Sequence, residues 1–200
     1  MGAALGGHLP VPGQRVGLLG GSFNPAHAGH FHISKEALKR LSLHEIWWLV
    51  SPQNPLKSTC GMAPLDQRLA GARRVARHPR IRVTAIETLL ESRYTAETLR
   101  RLQKRFPGVS FVWLMGADNM IQISRWHDWQ SIFRQLPVAV FARPSYSMGA
   151  SSSKAACRFR DSRLVGGAAR GLARRSPPAW AFYRIRLSGL SATRLRQAAQ

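Results

Sequence analysis

The sequence predicts an α/β fold, a doubly wound parallel sheet with helices on both faces and a helical motif at the C-terminus. Three observations carry this. Strand-like and helix-like patterns alternate from residue 15 to residue 141, which argues for a parallel sheet with covering helices. The connections between them are short, as βα units require. The first apolar run ends in two glycines and passes directly into a helix-spaced pattern, a strand–turn–helix junction.

The first strand is read over 15–19, from the apolar run Val16-Gly17-Leu18-Leu19. Beyond the turn, Phe31, Ile33, Ala37, Leu38 and Leu41 recur at helical spacing and predict a helix over 30–41. A second strand follows over 45–50. Pro64 suits a first helical turn and Asp66 complements the helix dipole, so the next helix is placed over 64–77. A strand over 80–86 leads to a helix over 95–105 with Thr95 as its N-cap. The pattern then gives a strand over 109–115, a helix over 128–135 and a strand over 137–141. After Pro144 the rhythm fails. Residues 145–179, rich in Ser, Gly, Ala, Arg and Pro, read as an irregular basic surface segment with room for a short helix. Order resumes at Ala179-Trp180-Ala181-Phe182-Tyr183, and a last helix opens near Ser191. Residues 1–14 read as a flexible tail and 15–200 as a single Rossmann-like domain.

Composition narrows the function. A chain of 200 residues with 44% hydrophobic content can bury a substantial core. It has no apolar run near the roughly 20 residues of a membrane span. The first residues lack a basic stretch followed by an apolar one, so no secretory signal is read. Cys60 and Cys157 are far apart in sequence and without metal-ligand spacing, which suits a reducing compartment, and a cytoplasmic location is expected. The formal charge of +21 would attract polyanions. The excess is spread along the chain and is mostly arginine. No zinc-finger spacing, aromatic RNP-like string or GXXG clamp accompanies it, so dedicated nucleic-acid binding is not expected and attraction for phosphorylated small molecules is.

Chemistry concentrates in five segments. Residues 20–30 read Gly-Gly-Ser-Phe-Asn-Pro-Ala-His-Ala-Gly-His. Gly20 and Gly21 let a ligand approach bare backbone at a strand end, with Ser22, Phe23 and Asn24 completing the turn. His27 and His30 sit at a helix N-terminus, whose amides and dipole favour anions. Taken alone, the histidines also fit an ordinary cap and a partly buried side chain, a less favoured reading. Lys57 ends a proline-bracketed loop after the second strand, where an open sheet binds ligands; on its own it also fits a solvated lysine. Thr95 combines a hydroxyl with a helix N-terminus, suited to capping and to meeting a carboxylate. The stretch Gly116-Ala117-Asp118 puts a carboxylate at the sheet's ligand edge, within reach of ribose hydroxyls, and Trp126 offers a flat apolar face while Trp129 is assigned to the core. Ser191, Thr193 and Arg196 open the last helix with hydroxyls and a cation. Arg143, at the end of the fifth strand, is a further phosphate or adenine contact or a surface arginine.

The eleven-residue string resembles the signature of the HxGH nucleotidylyltransferase superfamily. Together with Tyr94-Thr95-Ala96-Glu97-Thr98-Leu99, the Gly-x-Asp stretch and Trp126, the chain is most similar to the bacterial nicotinate-nucleotide adenylyltransferases. The resemblance covers roughly 15–144 and 180–196. It implies adenylyl transfer from ATP to nicotinate mononucleotide, giving deamido-NAD and pyrophosphate, with Mg²⁺ bound mainly through ATP phosphates and no metal site built by the protein. It implies catalytic roles for His27, His30, Lys57 and Arg196. ATP would contact Gly20, Gly21, Ser22, Phe23, His27, His30, Ser191, Thr193 and Arg196. The nicotinate nucleotide would contact Asn24, Lys57, Thr95, Asp118, Trp126, the amide of His127, and Arg143. Leu56 and Ala192 replace a histidine and a serine of the family pattern, and Asn24 stands where aspartate is common. The alternatives are a nicotinamide mononucleotide or phosphopantetheine substrate, or a non-catalytic nucleic-acid-binding protein. Thr95 with Trp126 speaks against phosphopantetheine.

Overall fold

The computed structural model describes residues 9–52 and 61–185. Its centre is a seven-stranded sheet in the order β3-β2-β1-β4-β5-β7-β6, in which each strand pair is parallel. The strands are β1 (Arg15–Gly21), β2 (Glu45–Val50), β3 (Ile81–Thr84), β4 (Ser110–Gly116), β5 (Val138–Phe141), β6 (Arg163–Leu164) and β7 (Trp180–Tyr183). The chain runs outward from β1 to β3, returns to place β4 on the other side of β1, continues outward to β5 and the edge strand β6, and comes back to lay β7 between those two. The sheet therefore reverses its order between β1 and β4, the crevice where such folds bind ligands.

Alternation along each strand feeds two cores. On one face lie Val16 and Leu18 of β1, Trp47 and Leu49 of β2, Phe111, Trp113 and Met115 of β4, and Val138 and Val140 of β5. They are covered by α3 (Ile86–Leu89), α4 (Thr95–Arg105), α5 (Ala117–Gln122), α6 (Trp129–Gln135), α7 (Ser147–Ser151) and α8 (Lys154–Arg158). The opposite face carries Leu19, Ile46, Trp48, Val112, Leu114, Ala139 and Phe141, under α1 (Ala28–Arg40), α2 (Leu65–Val75) and a 3-10 stretch at Gly166–Arg174. Both faces are buried, so the strands read as continuous apolar runs, as parallel sheets require. Among the described residues no helix is long and apolar enough to cross a membrane.

The four longer helices fall where periodicity put them, within two residues at most ends. Two local readings are corrected. The strand expected over 80–86 stops at Thr84, and Ile86–Leu89 is a single helical turn. Thr95 is not the N-cap of α4. That position is Tyr94, with no side-chain cap bond, and the polar work of the turn falls to Thr98, whose hydroxyl lies 2.9 Å from that of Ser92 and 3.2 Å from the Tyr94 carbonyl. The segment 145–179 carries α7, α8 and β6 between turns, with Ala150, Ala155, Ala156 and Phe159 buried. Residues just ahead of β1 pair with the start of the central strand β4: Gly13 N–H donates to the Gly108 carbonyl at 2.8 Å, and Ser110 N–H to the Gln14 carbonyl at 2.8 Å.

Candidate active site

The segments just after β1, β4 and β5 meet at the β1/β4 reversal, and residues 51–52 after β2 are tied to the β1 turn through Arg68. Two glycines make the approach possible. A Cβ on Gly20 would run into the ring of Trp113, and one on Gly116 would overlap the Asp118 carboxylate.

After Gly21 the chain turns sharply. Phe23 takes the left-handed φ of 48°, a conformation costing a non-glycine residue about 1–2 kcal/mol. Its ring is buried, stacked on Trp48 at 5.0 Å and tilted against His30 at 4.7 Å, and this packing holds the turn. His27 is the N-cap of α1. Its Nδ1 accepts the Gly29 N–H at 3.1 Å, while the His27 N–H donates to Nδ1 of His30 at 3.2 Å. The rings lie 3.9 Å apart. With each Nδ1 accepting from backbone, each neutral ring carries its proton on Nε2. Burial lowers the His27 pKa to about 4, helped by nearby Arg143 and opposed by Asp118. His27 is thus neutral near pH 7 and presents a directed N–H rather than a charge.

Across the reversal, Asp118 and Arg143 form an ion pair with Nε–Oδ1 at 3.4 Å. It lies over Gly116. Trp126, half-buried, meets Trp113 edge to face at 6.4 Å. The exposed ring of His127 packs on Tyr94 at 4.2 Å, tying the Trp126 loop to the start of α4, where Thr95 is the first helical residue. Trp129 is buried between Phe133 and Phe159, as its core assignment requires. The side-chain amide of Asn24 is engaged at both ends: Nδ2 donates to the Gly61 carbonyl at 3.0 Å, and Oδ1 accepts from Ala63 N–H at 3.3 Å.

Comparison with known proteins decides the family. A family model described as Cytidylyltransferase-like matches residues 18–198. A Cereibacter sphaeroides protein named "Probable nicotinate-nucleotide adenylyltransferase" is 52% identical over 181 residues, 90% of this chain and 95% of its own. A protein of the same name from Parvibaculum lavamentivorans is 51% identical over 189 residues, covering 94% of each chain. The chain belongs to the nicotinate-nucleotide adenylyltransferase family. The fold has a further likeness in a solved structure of Plasmodium falciparum nicotinic acid mononucleotide adenylyltransferase complexed with NaAD. That match has a TM-score of 0.66 at 16% identity, over 92% of this chain and 83% of that one.

Of the residues that the sequence nominates in this family member, Gly20, Gly21, Ser22, Phe23, Asn24, His27 and His30 come together on the β1 side, and Asp118 and Arg143 face them from β4 and β5. Thr95, Trp126 and His127 form a second cluster joined by the Tyr94 ring. Lys57, Ser191, Thr193 and Arg196, and the departures Leu56 and Ala192, lie outside the described residues. Sequence reasoning missed two groups. Arg68 of α2 is buried beneath the β1 and β2 loops. Glu87 of α3 is buried with its carboxyl hydrogen-bonded to the Ser51 side chain, and burial raises its pKa to about 7.

Proposed function

We propose that this chain transfers the adenylyl group of ATP to nicotinate mononucleotide, forming deamido-NAD and releasing pyrophosphate. The observation that carries the reading is the His27–His30 pair, two imidazoles held by backbone amides at the N-terminus of α1, beside the sheet's reversal, in a chain whose relatives bear that enzyme's name. The nucleotide phosphate oxygen attacks the α-phosphorus of ATP in line. As that P–O bond forms, the bond to the bridging oxygen of the β-phosphate breaks and its electron pair leaves with pyrophosphate. No protein nucleophile takes part, so catalysis is positioning and charge stabilisation.

His27 and His30 donate Nε2–H toward the non-bridging oxygens that gain charge, and the α1 N-terminus adds its dipole. The 20–23 turn faces the triphosphate, with Lys57, Ser191, Thr193 and Arg196 assigned to phosphate from the family pattern. On the acceptor side, Trp126 stacks on the pyridine ring, Thr95 and the His127 amide meet its carboxylate, and Asp118 and Arg143 serve ribose and phosphate. Asn24, committed to the backbone at 61 and 63, shapes the acceptor side of the turn. Mg²⁺ held mainly through the ATP phosphates would supply charge neutralisation there.

The test is pyrophosphate release from ATP and Mg²⁺ with nicotinate mononucleotide, nicotinamide mononucleotide or phosphopantetheine, for the wild type and His30→Ala. Release with the nicotinate substrate, reduced about 10²–10³-fold in the variant as for loss of one transition-state donor, is expected. Release with phosphopantetheine in its place, or with none of the three, overturns the reading.

A further inference from the structure

Arg68 lies in the first turn of α2, where the helix dipole disfavours a cation, and it is 4% exposed. Burial pulls its pKa below the usual arginine value. Its partners are four backbone carbonyls. Nε donates to Ala63 at 2.8 Å, Nη1 to Ser22 at 2.8 Å and to Ser51 at 2.7 Å, and Nη2 to Pro52 at 2.8 Å. One planar fork thus joins the turn after β1, the start of the loop after β2, and the chain just ahead of α2. Because Ser22 and Ser51 share a single nitrogen, the β1 and β2 loops are held at a fixed separation.

The Ser22 bond also sets the direction of an amide. In a trans peptide the carbonyl and the next N–H point opposite ways, and the Ser22–Phe23 peptide is trans. With the Ser22 carbonyl drawn to Arg68, the Phe23 N–H is turned to the other side of the turn. Among the described residues neither the Ser22 nor the Phe23 N–H meets a protein acceptor. Successive amides beside a left-handed residue form an anion-binding concavity, and here Arg68 holds that concavity from behind. Ser51 and Ala63 precede prolines, so their carbonyls belong to peptides with no N–H, and Arg68 gives these acceptors a donor. The Glu87 carboxyl, bonded to the Ser51 side chain, grips the β2 loop beside it.

We propose that Arg68 is a positioning residue for phosphoryl chemistry: it touches no substrate, and it fixes the turn at Ser22–Phe23 against the β2 loop so that the turn's amides face a phosphate. The inference rests on the adenylyl-transfer reading for its reaction but not for its anion. A displacement of about 1 Å in such a scaffold is enough to lose about 10²-fold in rate.

The experiment takes Arg68→Ala and Arg68→Lys in the full chain, below their melting temperatures. It measures kcat and both KM values for adenylyl transfer, and separately the Kd for pyrophosphate by calorimetry. The expected result is a kcat lower by about 10²-fold and pyrophosphate binding at least about tenfold weaker in both variants, because lysine's point charge cannot replace a planar fork. Methylguanidinium at millimolar concentration should restore turnover to Arg68→Ala, and sodium chloride at equal ionic strength should not. Lower melting temperatures with kcat and Kd near wild type would overturn the proposal, leaving Arg68 a stabilising residue only. If Arg68→Ala does not fold, the kcat and Kd of Arg68→Lys decide between the same two outcomes. A wild type that binds pyrophosphate without transferring to nicotinate mononucleotide would sink the substrate reading alone, and the Kd series would still decide Arg68.

Discussion

As the N-cap of α1, His27 accepts the Gly29 amide through Nδ1, and that same bond fixes its proton on Nε2. Capping and donation are therefore two outputs of one tautomer, and two substitutions separate them. Asparagine caps well and alanine does not, a difference of about 1 kcal/mol, while neither carries a ring N–H. His27→Asn should be more stable than His27→Ala by about that amount in denaturant unfolding, yet both should lose turnover about 10²–10³-fold. Turnover that tracked the cap instead would mean that His27 acts through the helix alone. The placement of His27 and His30 at the start of α1 was legible because turn and cap fall within one short string. Arg68 was not legible. Its acceptors are backbone carbonyls at 22, 51, 52 and 63, which leave no mark in residue identity, and an arginine in a helix with Arg73 and Arg74 reads as solvated.

At the scale of elements, the junction between β4 and α5 shows how a backbone position serves two strands. Gly116 ends β4, and an added Cβ would overlap the Asp118 carboxylate and stand 2.8 Å from Nε of Arg143. Gly116→Ala must push the pair apart or shift the strand end, a cost of about 1–3 kcal/mol for an overpacked site. Since both charged groups are assigned to the acceptor nucleotide, KM for nicotinate mononucleotide should rise several-fold more than KM for ATP in steady-state assays. An equal rise in both would remove Asp118 and Arg143 from the acceptor side. Strands β1 to β5 were legible as short apolar runs and the four α-helices of seven or more residues by their spacing, whereas β6, two residues inside 145–179, was not. Single-turn helices such as α3, α7 and α8, with 4 or 5 residues each, are too short to display a period. The small alanines of α7 and α8, buried beside α5, give no hydrophobic signal distinguishable from the Ser-Gly-Ala-Arg background.

For the whole molecule, the parallel sheet carries two buried titratable groups of opposite behaviour beyond its strand ends, His27 after β1 and Glu87 in α3 after β3. The sequence implied a doubly wound sheet, but the strand order β3-β2-β1-β4-β5-β7-β6 is a tertiary outcome no local pattern encodes. Each group makes stability depend on pH. The His27 pKa is about 4 when folded against an ordinary value of 6.5, so between those values the unfolded chain binds the extra proton and stability rises with pH. The Glu87 pKa is about 7 when folded against an ordinary value of 4.5, so between those values the folded chain binds the extra proton and stability falls as pH rises. Across their shared window the two slopes oppose each other. Glu87→Gln should therefore gain stability over the wild type progressively from pH 4.5 to 7 and hold that gain above it, by on the order of 1–3 kcal/mol. His27→Gln should show the mirror image, its stability relative to wild type improving as pH falls from 6.5 toward 4. Packing or hydrogen bonding removed by either substitution displaces its curve vertically without changing the slope. Urea unfolding at unit pH intervals gives both difference curves. Curves parallel to the wild type would mean that the two side chains titrate in the folded protein as they do in the unfolded chain, and the neutral-donor role of His27 would fall with them.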